Sequence, residues 1–229
     1  MLTIRRGAAR GVTDLGWLYS CHTFSFGAYY DPQHVGVSAL RVINDDQVQP
    51  GAGFASHGHA DMEILSYVMQ GSIEHQDSMG HIERLTAGEF QLMTAGTGIT
   101  HSEYNASDID PLHFLQIWIL PNQRGLPPGY QQKQFATASG VQLIASSDGR
   151  EGSLVVHQDA AVYHVVLESD QRADYTIAPG RTLYCHVFRG ALAVQGASLE
   201  AGDGATLTQA DALQVWAQND AEALLFDLP

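Results

Sequence analysis

The chain of 229 residues reads as an all-β protein built from two copies of one module. Three observations predict this. Short runs rich in Val, Ile, Leu, Phe and Tyr recur, each broken after a few residues by Gly, Asp, Asn or Pro. No long segment shows helical periodicity. Two stretches also resemble each other across the middle of the chain: YVMQGSIEH with LTAGEFQLM, and HVFRGALAV with LEAGDGATL.

Taken in order, the expected strands include Val37–Ile43, Ile64–Met69, Phe90–Met93, Leu112–Leu120, Val162–Leu167, Leu183–Phe188 and Leu213–Ala217. Many short strands with frequent turns point to a barrel or sandwich. After Leu120 the residues Pro121, Gly125, Pro127, Pro128 and Gly129 interrupt both ladders and helices. A module boundary is therefore expected near residue 132, giving modules 1–132 and 133–229. The segment from Pro121 reads either as a linker or as a long ordered loop packed on the first module.

With 45% hydrophobic and 16% charged residues, the whole chain is expected to be ordered. The net charge of −14 repels phosphate backbones and anionic membranes, and the basic residues form no stripe. Direct nucleic-acid binding and membrane docking are excluded on this ground. MLTIRRGAAR has no apolar stretch behind its arginines, and no apolar run is long enough to span a bilayer, so a cytoplasmic location is expected. Cys21 and Cys185 are too few and too far apart for a disulfide framework and read as reduced core residues.

The chemistry lies among the histidines. His57 and His59 flank Gly58, and side chains two apart on a strand point to one face, about 7 Å apart. Gly58 is expected to keep the space between them open. His101 and Glu103 flank Ser102 and repeat the spacing after the hairpin at Gln70-Gly71. Three imidazoles and one carboxylate suit Fe, Mn, Co, Ni, Cu or Zn, and not Ca or Mg, which prefer oxygen shells. The bland alternative is that these are packing histidines and that HSE is a loop.

The internal repeat bears on the choice. His57 and His59 precede Gly71 by 14 and 12 residues, and the same count from Gly190 reaches Thr176 and Ala178. His101 and Glu103 follow Gly88 by 13 and 15, and the count from Gly202 reaches Val215 and Ala217. None of these four suits a metal, so one module kept the site and its sister lost it.

Four segments in order, HTFSFGAYYDP, ALRVINDD, GFASHGHADMEILSYVMQGSIEHQDSMG and GEFQLMTAGTGITHSE, together with the ending LLFDLP, resemble the pirins of the cupin superfamily, in particular short bacterial pirins. The resemblance implies a bicupin, two double-stranded β-helix (jelly-roll) barrels of which the C-terminal one is degenerate. It also implies one mononuclear divalent metal in the N-terminal barrel, with Fe(II) the first choice and Ni, Co, Mn, Cu or Zn the alternatives, held by His57, His59, His101 and Glu103. In the wider cupin pattern the carboxylate follows the first histidine pair. Glu63 fills that position, shares strand parity with His59 and competes with Glu103. Gly58 stands where many pirins have proline.

Pirins of this type resemble quercetin 2,3-dioxygenases, which open the central ring of a flavonol with dioxygen and release carbon monoxide. On that reading Glu103 is both ligand and proton acceptor. The alternative implied by other pirins is a non-enzymatic, metal-binding regulator acting through protein partners. A cupin enzyme for sugar phosphates would need a basic cluster near the site, and none surrounds His57, His59 and His101. A monomer is favoured, because two barrels can cover each other's faces within one chain.

The remaining candidates read as structural. His75 and His113 pack or tune the site as outer partners. His22 is a buried, hydrogen-bonded histidine, and Phe24, Phe26, Tyr29 and Tyr30 form core or pocket wall. Gly96 and Gly98 allow a tight turn that aims His101, and Asp77-Ser78 looks like turn chemistry.

Overall fold

The computed structural model describes residues 1–136 and 139–229. Its strands are β1 (Leu2–Arg5), β2 (Gly11–Asp14), β3 (Leu18–His22), β4 (Leu40–Val48), β5 (Gly53–His59), β6 (Glu63–Gln70), β7 (Ser72–Asp77), β8 (Ile82–Thr86), β9 (Glu89–Thr94), β10 (Ile99–Asn105), β11 (Leu112–Ile119) and β12 (Gly129–Gln134). They continue as β13 (Gly140–Ser146), β14 (Leu154–Val155), β15 (Ala161–Leu167), β16 (Arg172–Thr176), β17 (Thr182–Arg189), β18 (Ala191–Val194), β19 (Ala197–Glu200), β20 (Gly204–Leu207), β21 (Ala212–Ala217) and β22 (Ala221–Leu228). Among the described residues the helical pieces are two single 3₁₀ turns, Gly7–Ala9 and Arg150–Gly152. No described helix is long and apolar enough to cross a membrane.

The first compact unit comprises Gly11–Phe135 and Leu154–Gln158. It holds a seven-stranded sheet, β12-β9-β6-β11-β4-β3-β2, and a four-stranded sheet, β5-β10-β7-β8. The interior strand β6 is buried along most of its length, which matches its mainly apolar run ILSYVM. The strand β10, by contrast, alternates: Ile99, His101, Glu103 and Asn105 face inward while Thr100 and Tyr104 are exposed. Inward residues of both sheets make the cores, one around Val48, Val68, Ile73, Leu85 and Phe114, the other around Ile64, Met93 and Ile99.

The second unit comprises Met1–Arg10, Ala136–Ser153 and Asp159–Pro229. Here β20-β17-β22-β15 follow one another as β9-β6-β11-β4 do, and β16-β21-β18-β19 match β5-β10-β7-β8. The duplication read from the sequence is thus present strand for strand. Its apolar core includes Val215 and Ala217, the counted counterparts of His101 and Glu103. The counterparts of His57 and His59 need correction. His101 pairs with His57 and Ile99 with His59, whereas Val215 pairs with Ala173 and Leu213 with Tyr175. Thr176 and Ala178 therefore do not stand opposite Val215 as His57 stands opposite His101.

Two local expectations also shift. The strand expected from Val37 starts at Leu40, because Val37 and Leu40 pair with each other across a turn in which Ser38 is left-handed. The Pro- and Gly-rich stretch ends in β12, which pairs with β9 and so belongs to the first unit's sheet. Cys21 and Cys185 are both free, and burial pushes the Cys185 thiol up to about 12.

Candidate metal centre

The antiparallel pair β5 and β10 builds the site. His101 lies opposite His57, and Thr100 opposite Gly58, so three imidazoles come from two neighbouring strands. One donor atom each from His57, His59 and His101 falls within 4.8 Å of the other two. The ring centroids are 4.5–4.9 Å apart. Between His101 and Glu103 the register shifts, so that Glu103 faces Phe54. This bulge needs a glycine: a Cβ on Gly53 would stand 2.4 Å from the Glu103 carbonyl oxygen. Gly58 is different. A Cβ there would meet nothing nearer than 3.8 Å, so the expected need for open space between the histidines is not what places glycine at this position.

The turn ahead of β10 is as expected. Gly96 and Gly98 both have positive φ, and a Cβ on Gly96 would stand 2.0 Å from the Leu126 carbonyl oxygen.

The donor atoms are prepared for a cation. His57 donates Nδ1–H to the Ala55 carbonyl at 2.8 Å, which leaves its Nε2 as a lone pair. That Nε2 lies 3.1 Å from Nε2 of His101. Nε2 of His59 is buried without a hydrogen-bond partner. Burial, reinforced by the neighbouring imidazoles, pushes His59 down to about 4 and His101 to about 3, so both are neutral at physiological pH. An orphaned nitrogen and a close approach of two ring nitrogens fit an ion bound by nitrogen donors.

Glu103 stands further in. Its carboxylate groups with His101 and His75, all three buried, and not with His57 and His59. Gln116 donates to its Oε2 at 2.9 Å, while Oε1 has no partner. Burial, with the charge of Asp46, pushes the Glu103 carboxyl up to about 7. The two i,i+2 pairs are thus not equivalent, because the bulge separates them. The competitor Glu63 is engaged elsewhere: its Oε2 accepts from Thr94 Oγ1 at 3.1 Å and from the backbone N–H of His157 at 3.2 Å.

His75 is fully buried, with Nε2 at 3.2 Å from Asp77 Oδ2, and desolvation lowers its pKa. Asp77 also accepts the backbone N–H groups of Met79 and His81, which is the expected turn chemistry. His113 is bound to Asp45 at 2.6 Å. His22 is buried and bonded to Thr13 and Asn44, each at 2.8 Å.

A cavity of about 640 Å³ opens onto His57 and His59. Its walls include Trp17, Phe26, Phe54 and Trp118, while Phe24 is buried and Tyr30 exposed. The edge of His59 meets the face of Trp118 at 5.0 Å. Asp46 and Gln116 also line this cavity and escaped the reading of the sequence, because neither belongs to a spaced pair of ligand types. The alternation of β4, with Asn44 and Asp46 on one face, was the available signal. Burial pushes the Asp46 carboxyl up to about 7 as well.

The chain is similar to known proteins along most of its length. A family model described as Pirin matches residues 5–119, and one described as Quercetinase C-terminal cupin domain matches residues 143–228. A quercetin 2,3-dioxygenase of Escherichia coli K12 is 48% identical over 229 residues, covering 100% of this chain and 99% of that protein. A putative quercetin 2,3-dioxygenase of Pasteurella multocida is 43% identical over 232 residues, with 100% of both chains covered. The crystal structure of the bacterial pirin YhhW of Escherichia coli in complex with nickel(II) superposes with a TM-score of 0.98 at 48% identity, covering 100% of this chain and 99% of that one.

Proposed function

The chain belongs to the pirin family, and on that premise we propose that it is a metal-dependent dioxygenase that opens the central ring of flavonols such as quercetin and releases carbon monoxide. The observation that carries this reading is the meeting of three imidazole donors with an aromatic-walled cavity of about 640 Å³, within the size range of small-molecule sites. The names of the full-length relatives and the nickel(II) bound by one of them support it.

His57, His59 and His101 would hold one divalent ion, with Glu103 as the carboxylate ligand. Fe(II) is our first choice, although the related structure carries nickel(II). When bound, the ion supplies Lewis acidity toward a flavonol hydroxyl oxygen and a centre for dioxygen chemistry. The chain's own groups do the rest. Gln116 holds one carboxylate oxygen of Glu103 and leaves Oε1 unengaged. Glu103, with a carboxyl near neutrality, is suited to accept the proton of the substrate hydroxyl. Trp118, Phe26 and Phe54 offer faces and edges to a flat ring system and keep water from it.

The test is to mix the protein, reconstituted with each metal in turn, with quercetin under air and follow the flavonol absorbance. Steady loss that stops on chelation is expected. No loss with Fe, Ni, Co, Mn, Cu or Zn would defeat the proposal and favour a non-enzymatic metal-binding regulator.

A further inference from the structure

One wall of the cavity is polar. Thr13, Ser20, His22, Asn44, Asp46 and Gln116 line it. Most of these groups satisfy one another. The Thr13 hydroxyl meets Nε2 of His22, Nδ1 of His22 meets the Asn44 side-chain oxygen, and Gln116 is spent on Glu103. Asp46 is the exception. It is 2% exposed, Ser20 bonds to its carboxylate, and its Oδ1 has no partner. It is also absent from both groups of potential metal donors. A buried acceptor in an otherwise satisfied wall costs free energy unless something that enters the cavity donates to it.

We propose that Asp46 is a specificity-determining residue: its Oδ1 accepts a hydrogen bond from a phenolic hydroxyl of the bound substrate, other than the hydroxyl directed at the metal. This rests on the dioxygenase reading and deepens it, for it restricts the substrate to aromatics bearing a second free hydroxyl. The position suits the role. Asp46 sits on β4 beside β11, the strand that carries Gln116 and Trp118, and all three residues line the same cavity. A hydroxyl there satisfies the orphaned oxygen. A methyl ether at the same place donates nothing and adds a carbon to a closed wall, and a site built around a hydrogen bond rejects the analogue lacking it.

The experiment compares wild type and Asp46→Leu, which has no acceptor, both loaded with the same metal, on quercetin and on its mono-O-methyl ethers methylated away from the 3-hydroxyl. Two readouts are taken: kcat/KM under air, and the dissociation constant without oxygen from quenching of Trp17 and Trp118, both of which line the cavity. Wild type is expected to disfavour one ether by about tenfold or more in both readouts. Asp46→Leu should lose that preference while keeping its metal content. Asp46→Ala serves as the second variant if the leucine form does not fold. An unchanged preference in a folded, metal-loaded variant overturns the role of Asp46, as does a wild type indifferent to every ether. A wild type that quenches but consumes no flavonol instead overturns the dioxygenase reading and leaves recognition by Asp46 to be judged on binding alone.

Discussion

Nε2 of His57 faces Nε2 of His101 at 3.1 Å, with the other ring nitrogen of His57 already donating to the Ala55 carbonyl. Two lone pairs aimed at one point repel unless a proton or a cation lies between them. Desolvation holds His101 far below the usual histidine range, which favours the cation.

His101→Ala should therefore abolish tight metal binding. At a free-metal concentration a hundredfold above Kd, the ion stabilises wild type by about 2.7 kcal/mol. For a chain of this size that raises Tm by roughly 5–10 °C. Elemental analysis together with thermal scans with and without metal checks this: the variant should show neither the ion nor the shift, and a retained shift would contradict the site.

Glu103→Gln keeps shape and the hydrogen-bonding neighbourhood of Gln116 but removes the proton acceptor. Turnover of quercetin should drop on the order of a hundredfold or more. Three imidazoles remain, so part of the metal should remain with them. Full turnover in this variant would show that Glu103 does not take the proton.

Asp46 predicts a pH effect on the metal-free protein. Its folded-state pKa, about 7, lies above the unfolded value of 3.8, so the folded chain binds more protons between these limits. Stability is then present in full below about pH 4 and lost as the pH rises through about 7. Asp46→Asn escapes this loss. It should be more stable than wild type at pH 8, on the order of 2–4 kcal/mol, with the advantage fading toward pH 4. Denaturant melts at both pH values give the answer, and equal gains at both would contradict the cause assigned.

The two glycines near the site should respond differently. At Gly96, φ is +51° and a Cβ would press on the Leu126 carbonyl, so Gly96→Ala should cost at least about 1–3 kcal/mol. At Gly58 there is room for a Cβ, and Gly58→Ala should lie within about 1 kcal/mol of wild type or slightly above it. Denaturant unfolding of the two variants checks the contrast.

The module order shows what was legible. Strand runs, turn glycines and the pairing of Gly71 with Gly190 are local patterns, and they foretold the duplicated sheets. The counts that led to Thr176 and Ala178 failed because a count of residues along the chain does not carry strand register, which only strand pairing reveals.

The ligand spacing HGH and HSE, by itself, determined which histidines share a strand face, because side-chain alternation is a property of the extended backbone. The net charge of −14 likewise carried the expectation that the chain does not bind nucleic acid directly. Tertiary structure alone decided the rest. The bulge that sets Glu103 apart from His57 and His59, the capture of Glu63 by Thr94 and His157, and the burial of Asp46 against the cavity all arise between strands distant in sequence. Desolvation depends on what surrounds a group in space, and no spacing along the chain encodes it.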